Sequence, residues 1–256
     1  MEHLDEDHRI PFPDPSRADR WGLLAAGGNL SPGFLLSAYE QGVFPWYEEE
    51  PILWFSPDPR FLLFFKDLHV GKRLGRTLTQ SSWQITFDQN FPGVIQACSE
   101  PRRGEGGTWI TREMRAAYGE LHRLGYAHSV EVWQGDSLAG GLYGVSLGGC
   151  FSGESMFSRE RDASKAALVA LAGVLSQWEV AFIDCQMETA HLAAFGAAPV
   201  PRQVFLELLR EARGRADGAP RGSWSSCDGP SALARGIALA RAADASRLSN
   251  ESRSPQ

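Results

Sequence analysis

The chain contains no C-x-x-C pair. Its four cysteines, Cys98, Cys150, Cys185 and Cys227, stand singly, and no histidine sits beside any of them at zinc-ligand spacing. That pattern excludes a zinc finger or ribbon and fits a reduced, cytoplasmic protein. A long apolar run is missing too. The longest, AALVALAGVL at residues 166–175, falls short of the ~20 residues that span a bilayer. The opening residues, MEHLDEDHRI, are acidic where a secretory signal would be basic and then apolar, so nothing directs the chain out of the cytoplasm. Positive charge is not in excess. With 25 Lys and Arg against 31 Asp and Glu the formal net charge is -6, so contact with nucleic acid requires a local basic patch. No internal repeat is visible.

What is present suffices for one large domain or two modest ones: 256 residues, 43% hydrophobic and 22% charged. The first 59 residues are punctuated by proline and glycine (FPDPS, AAGGNLSPG, FPW, SPDPR). They enclose one helical stretch, PGFLLSAYEQG, with Ser31 as its N-cap and Gly42 as its stop. This predicts a small N-terminal domain over 1–59 with mobile acidic first residues. From residue 60 the texture changes. FLLFF and WQITFD read as strands, and NFPGVIQACSE and TREMRAAYGELHRLG as helices. Residues 127–157 alternate like antiparallel strands around a turn at Gln134-Gly135-Asp136. DASKAALVALAGVLSQW is a helix capped by Asp162 or Ser164, VAFIDCQ a buried strand, METAHLAAFG a short helix, and VPRQVFLELLREARGRA another helix. The result is an α+β layout with a mixed α/β sheet over 60–216. Residues 217–256, rich in Gly, Ser, Ala and Arg, are expected to be a mobile tail with at most one helix, in SALARGIALARAADA. The order of elements resembles the acetyl-CoA-dependent N-acetyltransferase superfold (GNAT). SRERDASK, ahead of the long helix, lacks the glycines that cradle a CoA pyrophosphate, which disfavours a CoA reader.

Four features carry candidate chemistry. FSGESMFS (151–158) holds a lone carboxylate, Glu154, at a strand; burying an unpaired carboxylate is costly. Its partner is Arg159, a remote basic residue or a cationic substrate. In AFIDCQ, alternation puts Asp184 and Gln186 on one face and Cys185 on the other. Such polar groups at a strand's end either line a crevice or cap the helix that follows. If the two strands are neighbours, Glu154 and Asp184 share one cavity. Trp46, Trp54 and Trp109 lie in Pro- or Gly-flanked loops. Trp54 reads as an apolar plug between subdomains, whereas Trp46 and Trp109 are open to base stacking. Finally, KDLHVGKRLGR begins with Lys66 and puts His69, Lys72, Arg73 and Arg76 at i, i+3, i+4 and i+7. That is either a phosphate-contact stripe or a solvated helix face.

Several blocks, in this order, resemble the bacterial leucyl/phenylalanyl-tRNA–protein transferase family. They are GLLAAGGNLSPGFLLSAYEQGVFPWY, LWFSPDPR, GTWITREM, LHRLGYAHSVEVW, GGLYGV, GESMFSRERDASKAAL and FIDCQMETAHLAAFGA, spanning about residues 11–209. The resemblance implies transfer of Leu or Phe, less often Met, from charged tRNA to proteins that begin with Arg or Lys, marking them for N-degron degradation. It implies a small N-terminal domain and a GNAT-like catalytic domain. It assigns catalysis to Asp184, Gln186 and Glu154, with Asp184 helping to deprotonate the amine, directly or through Gln186, and Gln186 positioning it, or with both only orienting the reactants while the tRNA's own hydroxyl shuttles the proton. Glu154 would meet the cationic N-terminus of the acceptor protein. Leu142, Met156, Leu168, Leu171 and Ile183 would form the aminoacyl side-chain pocket. Leu171 replaces a residue that is often Phe in the family, which leaves Leu-versus-Phe preference open. Trp46 and Trp109 would pack on the terminal adenosine, and Lys72, Arg73 and Arg76 would contact tRNA phosphates. No metal or organic cofactor is implied; aminoacyl-tRNA is a co-substrate and no membrane is a partner. The alternatives from other classes are an acyl-CoA-dependent N-acyltransferase and a non-catalytic reader of basic N-termini.

Overall fold

Two sheets meet at the proline-rich stretch SPDPR. The computed structural model describes residues 3–101, 109–215 and 217–251. Residues 1, 2, 102–108, 216 and 252–256 of the expected domains, among them residues 107 and 108 of GTWITR, lie outside the described residues. Ahead of SPDPR comes a three-stranded antiparallel sheet of β1 (Leu23–Ala26), β2 (Phe44–Pro45) and β3 (Leu53–Phe55), in the order β1-β3-β2. The helix α1 (Pro32–Glu40) connects β1 to β2. Pro32 sits in its first turn, where the missing N–H costs nothing, and Gly42 turns the chain away at φ 75°. Ser31 stands at the N-cap but does not cap. Its hydroxyl donates to Asn29 Oδ1 at 2.5 Å and accepts from Leu4 N at 3.1 Å. The acidic N-terminal segment, expected to be mobile, is therefore docked. Gly33 N also bonds Leu4 O, and Arg9 Nε bonds Glu40 Oε1 at 2.8 Å.

The second sheet is mixed. Its seven strands are β4 (Arg60–Leu63), β5 (Gln84–Phe87), β6 (Ala127–Gln134), β7 (Ser137–Ser146), β8 (Cys150–Ser158), β9 (Phe182–Asp184) and β10 (Ala198–Val200). Their order is β10-β4-β9-β8-β7-β6-β5, with every neighbouring pair antiparallel except β8 and β9. The expected turn between β6 and β7 is there, since Gln134 pairs with Ser137 across Gly135 and Asp136. The helices are α2 (Lys72–Gln80), α3 (Phe91–Cys98), α4 (Arg112–Arg123), α5 (Ala163–Gln177), α6 (Ala190–Ala193), α7 (Arg202–Arg213) and α8 (Gly229–Glu251). This is an α+β protein with a small N-terminal domain ahead of a larger one, as the sequence predicts.

Each face of the large sheet has its own core. One gathers strand residues such as Val130, Leu142 and Ile183 with α5 and residues of α8. The other joins α1, α3 and α4 to the small sheet, with Trp54 at its centre. Trp54, expected as a plug between subdomains, is buried and packs on Phe12 and Phe34, its indole N–H donating to Gly27 O at 2.7 Å, so these contacts lie within the small domain. The polar residues of HSVEVW serve the framework. Glu131 accepts from Thr86 Oγ1 at 2.6 Å and Ser129 Oγ at 2.5 Å, and His128 Nδ1 bonds Asp88 Oδ2 at 2.8 Å.

The expectation of a mobile tail is overturned. The Trp224 ring stacks on His128 at 3.6 Å and 2°, and its backbone N donates to Asp88 Oδ2 at 2.7 Å. Beyond it, α8 crosses α5 at reciprocal glycines. A Cβ on Gly173 would strike Ala232 O, and one on Gly236 would strike Val169 O. Small residues let the two backbones approach, so a segment of low hydropathy packs without a broad apolar stripe. Among the described residues, no helix is long and apolar enough to cross a membrane.

Candidate active site

Strands β8 and β9 are parallel neighbours, with Ser152 opposite Asp184. The two acids singled out in the sequence therefore meet at one place, and Gln186 links them. Its side-chain Nε2 donates to Glu154 Oε1 at 2.8 Å, and its backbone N donates to Asp184 Oδ1 at 2.9 Å. Gln186 holds φ at 64°, a left-handed conformation that disfavours any residue with a Cβ. The backbone bond to Asp184 is what steadies that turn, and the turn is what aims the amide at Glu154.

Asp184 does not face an open crevice. Arg60, the first residue of β4, grips it with two parallel bonds, Nε to Oδ1 at 2.8 Å and Nη2 to Oδ2 at 2.7 Å. Both side chains are almost wholly buried, 1% and 2% exposed. The same guanidinium donates Nη1 to Gly42 O at 3.3 Å and lies between the rings of Phe44 and Phe205, 4.8 and 4.5 Å away. Arg60 thus joins the small domain, β9 and α7 around one charge pair. Both of its oxygens face a permanent cation, which crowds the direct route to the amine's proton, while Gln186 stays hydrogen-bonded to Asp184 as the other route needs. The helix-cap reading fails, because Thr189 Oγ1 caps α6.

Glu154 is treated differently. Although 8% exposed, it has no cation paired with it among the described residues; Arg159, a candidate partner, binds Glu100 Oε1 at 2.9 Å instead. Its donors are neutral. Tyr118 OH bonds Oε2 at 3.0 Å, Gln186 bonds the other oxygen, and Tyr39 OH, hydrogen-bonded to Tyr118 OH, stands behind them. Burial raises the Glu154 carboxyl to about 7, against the opposing pull of donors from Tyr39, Tyr118 and Gln186. A carboxyl tuned to neutral pH can exchange a proton under physiological conditions. Cys185, between Asp184 and Gln186, is no nucleophile: burial drives its thiol well above the ordinary range.

The other expected site residues fall in three places. Leu142, Leu168, Leu171 and Ile183 are buried in the core between sheet and α5, with Met156 packed against them and paired to Leu142 across β7 and β8. Trp46 is 40% exposed and leans on Phe55 at 5.6 Å, while Trp109 is half-buried against the α4 core. Lys72, Arg73 and Arg76 are exposed on α2. His69 does not share their helical face; it precedes α2 and bonds Asp244 of α8 at 2.8 Å. Among the described residues, no group of three or more His, Cys, Asp or Glu stands placed to hold a metal ion.

Sequence reasoning missed Arg60, Tyr39 and Tyr118. Arg60 left a trace, as a single cation between SPDP and the apolar run FLLFF is itself a buried charge in need of a partner. The tyrosines left none, because an aromatic on a helix looks the same in the sequence whether its hydroxyl meets solvent or a carboxylate.

A family model described as leucyl/phenylalanyl-tRNA protein transferase matches residues 62–210, and one for the N-terminal domain of the same family matches 28–58. Similar proteins carry the same description. One from Syntrophus aciditrophicus (strain SB) is 53% identical over 219 residues, covering 85% of this chain and 91% of the relative. Another, from Myxococcus xanthus (strain DK1622), is 51% identical over 224 residues, covering 87% and 95%.

Proposed function

This chain belongs to the leucyl/phenylalanyl-tRNA–protein transferase family, and from that premise we propose how it works as an aminoacyltransferase. It takes Leu or Phe, less often Met, from aminoacyl-tRNA and joins it to the α-amine of proteins that begin with Arg or Lys. Membership displaces the acyl-CoA and non-catalytic readings. The larger domain is a GNAT-like catalytic unit, and the reaction takes place in the cytoplasm.

The ester of aminoacyl-tRNA is already activated, so the enzyme positions the amine and handles one proton. The amine nitrogen attacks the ester carbonyl carbon, the C–N bond forms, and the C–O bond to ribose breaks. A free α-amine has a pKa of about 7.7–8.0 and arrives largely as the ammonium. Glu154 takes one proton from the ammonium and releases it to solvent before attack; it then takes the second from nitrogen as the C–N bond forms and passes that one to the ribose oxygen as that oxygen leaves. Gln186 holds Glu154 with its amide N–H and offers its amide oxygen to the incoming amine. Asp184, fixed by Arg60, positions Gln186. An anionic Glu154 also gives the cationic head of the acceptor peptide its counter-charge. Leu142, Met156, Leu168, Leu171 and Ile183 receive the transferred side chain, Trp46 and Trp109 pack on the terminal adenosine, and Lys72, Arg73 and Arg76 meet acceptor-stem phosphates.

The observation that carries this reading is the buried Glu154, solvated by neutral donors alone and raised to about 7. The test is transfer of radiolabelled Leu from Leu-tRNA to peptides beginning with Arg or with Ala. Label should enter the Arg peptide; entry into both alike, or into neither, rejects the proposal.

A further inference from the structure

A second concave site lies beside the turn that joins β7 to β8. It is a cavity of about 300 Å³ whose wall includes Ser146, Tyr126, Glu40 and three arginines, Arg9, Arg213 and Arg221. In a chain of net charge -6, three guanidinium groups on one cavity are unexpected. Glu40 offsets one of them only. It accepts from Arg9 Nε at 2.8 Å and from Arg213 Nη2 at 2.7 Å, so this cluster keeps a net positive charge. Arg221 donates Nε to Leu124 O at 3.1 Å and lies 4.3 Å over the Tyr126 ring. Glu6 Oε1 stands 3.8 Å from Arg221 Nη2, an ion pair without a hydrogen bond, so two carboxylates meet three guanidinium groups and one positive charge is left over. Arg9 Nη1 also donates to Glu6 O at 2.5 Å and His8 O at 3.1 Å, and Arg213 Nη1 to Glu40 O at 2.8 Å; with five N–H donors on each guanidinium, these contacts leave Arg9 Nη2, Arg213 Nε and Arg221 Nη1 unused. Among the described residues, the Ser146 hydroxyl, buried on the same wall, has no hydrogen-bond partner.

Arginine forks match phosphate oxygens bidentately, and an arginine stacked on an aromatic ring is already ordered for that task. The volume falls at the lower end of small-molecule sites. We infer that this cavity binds a small phosphorylated ligand of mononucleotide size, its phosphate held by Arg9, Arg213 and Arg221 with the Ser146 hydroxyl as a further donor. Those arginines lie outside the segments that the family models match, 28–58 and 62–210. The site is separate from Glu154 and does not rest on the transfer reaction. A tRNA backbone is the less fitting source of phosphate. The exposed cations of α2 belong to a helix packed into the α5 core, whereas the cavity is lined from the ends of α1 and α7 and the turn after α4.

The test is calorimetric titration of the full chain with ribose 5-phosphate, which has no base to stack on Trp46 or Trp109, with ribose as the control. We expect one equivalent of the monophosphate to bind and ribose not to. Arg221→Gln should weaken binding about tenfold, the loss of one charge-assisted contact. Its side chain is 53% exposed and its removal leaves the Glu40 clamp intact, so the thermal midpoint should stay put. Arg9→Gln should weaken binding as well. Absence of monophosphate binding, or unchanged affinity in both variants, overturns the inference. Displacement of the bound monophosphate by uncharged tRNA would assign the site to an RNA backbone and overturn the free-ligand assignment. None of these outcomes touches label transfer to the Arg peptide, which tests a different site.

Discussion

Asp184 and Glu154 sit on adjacent strands, buried almost equally, yet the protein stabilises their charges by opposite means. Asp184 is met by a guanidinium fork held between two aromatic rings. Glu154 is met by two hydroxyls and an amide, and its carboxyl is raised to about 7. A guanidinium fork that takes both carboxylate oxygens makes the group part of the frame. Neutral dipoles leave the proton negotiable. The motifs present two equivalent acids; only their partners separate the one that holds the site from the one that can take part in chemistry.

The largest effect should come from breaking the fixed pair. Arg60→Met leaves Asp184 as an uncompensated buried anion and should cost about 3–5 kcal/mol in denaturant unfolding. Adding Asp184→Asn should recover much of that loss, since the unpaired charge is gone. A cost below about 1 kcal/mol for Arg60→Met would mean Asp184 is not held as the geometry indicates.

Next comes the adjustable acid. Glu154→Gln should lower transfer to an Arg peptide on the order of 10²-fold or more, with little change in aminoacyl-tRNA binding. The same change should stabilise the fold at alkaline pH. The folded-state carboxyl lies at about 7, above its ordinary value of 4.5, so the native state binds more protons in that interval. Stability therefore falls as pH rises from 4.5 through 7, by about 3 kcal/mol for the full shift. Wild type should show that loss and Glu154→Gln should not. A variant that loses activity and stability together at pH 8 would make Glu154 a structural residue and erase its contrast with Asp184.

The contrast also marks what a single sequence reveals. Glu154, Asp184 and Gln186 stood out because polar groups interrupt apolar strands, a local pattern. Whether β8 and β9 adjoin was not local, and the partner of Asp184 lies 124 residues away. Most helices and strands were legible from periodicity, and α1 begins just after Ser31 and ends just before Gly42, the start and stop read in the sequence. The tail was misread because composition rewards broad apolar faces, while α8 docks through Gly236 and Ala232 against Val169 and Gly173 of α5. That contact depends on what a side chain lacks. A smaller penalty tests it: Gly236→Val should cost about 1–3 kcal/mol by pushing the helices apart. Unchanged stability would show that the crossing is looser than described.

The smallest effect belongs to α2, and it carries the contrast between fixed and free charge to the surface. Lys72 and Arg73 are exposed. Removing them should leave folding untouched, because solvated cations contribute little to stability. Their role would appear only in salt dependence. Each phosphate neutralised contributes about 0.9 to the slope of log affinity against log salt, so replacing both with Gln should flatten the slope of tRNA binding by about 1.8. An unchanged slope with equal affinity would remove α2 from the tRNA footprint. The nucleic-acid contact of this acidic chain would then have to be sought around Trp46 and Trp109, where stacking rather than charge would carry it.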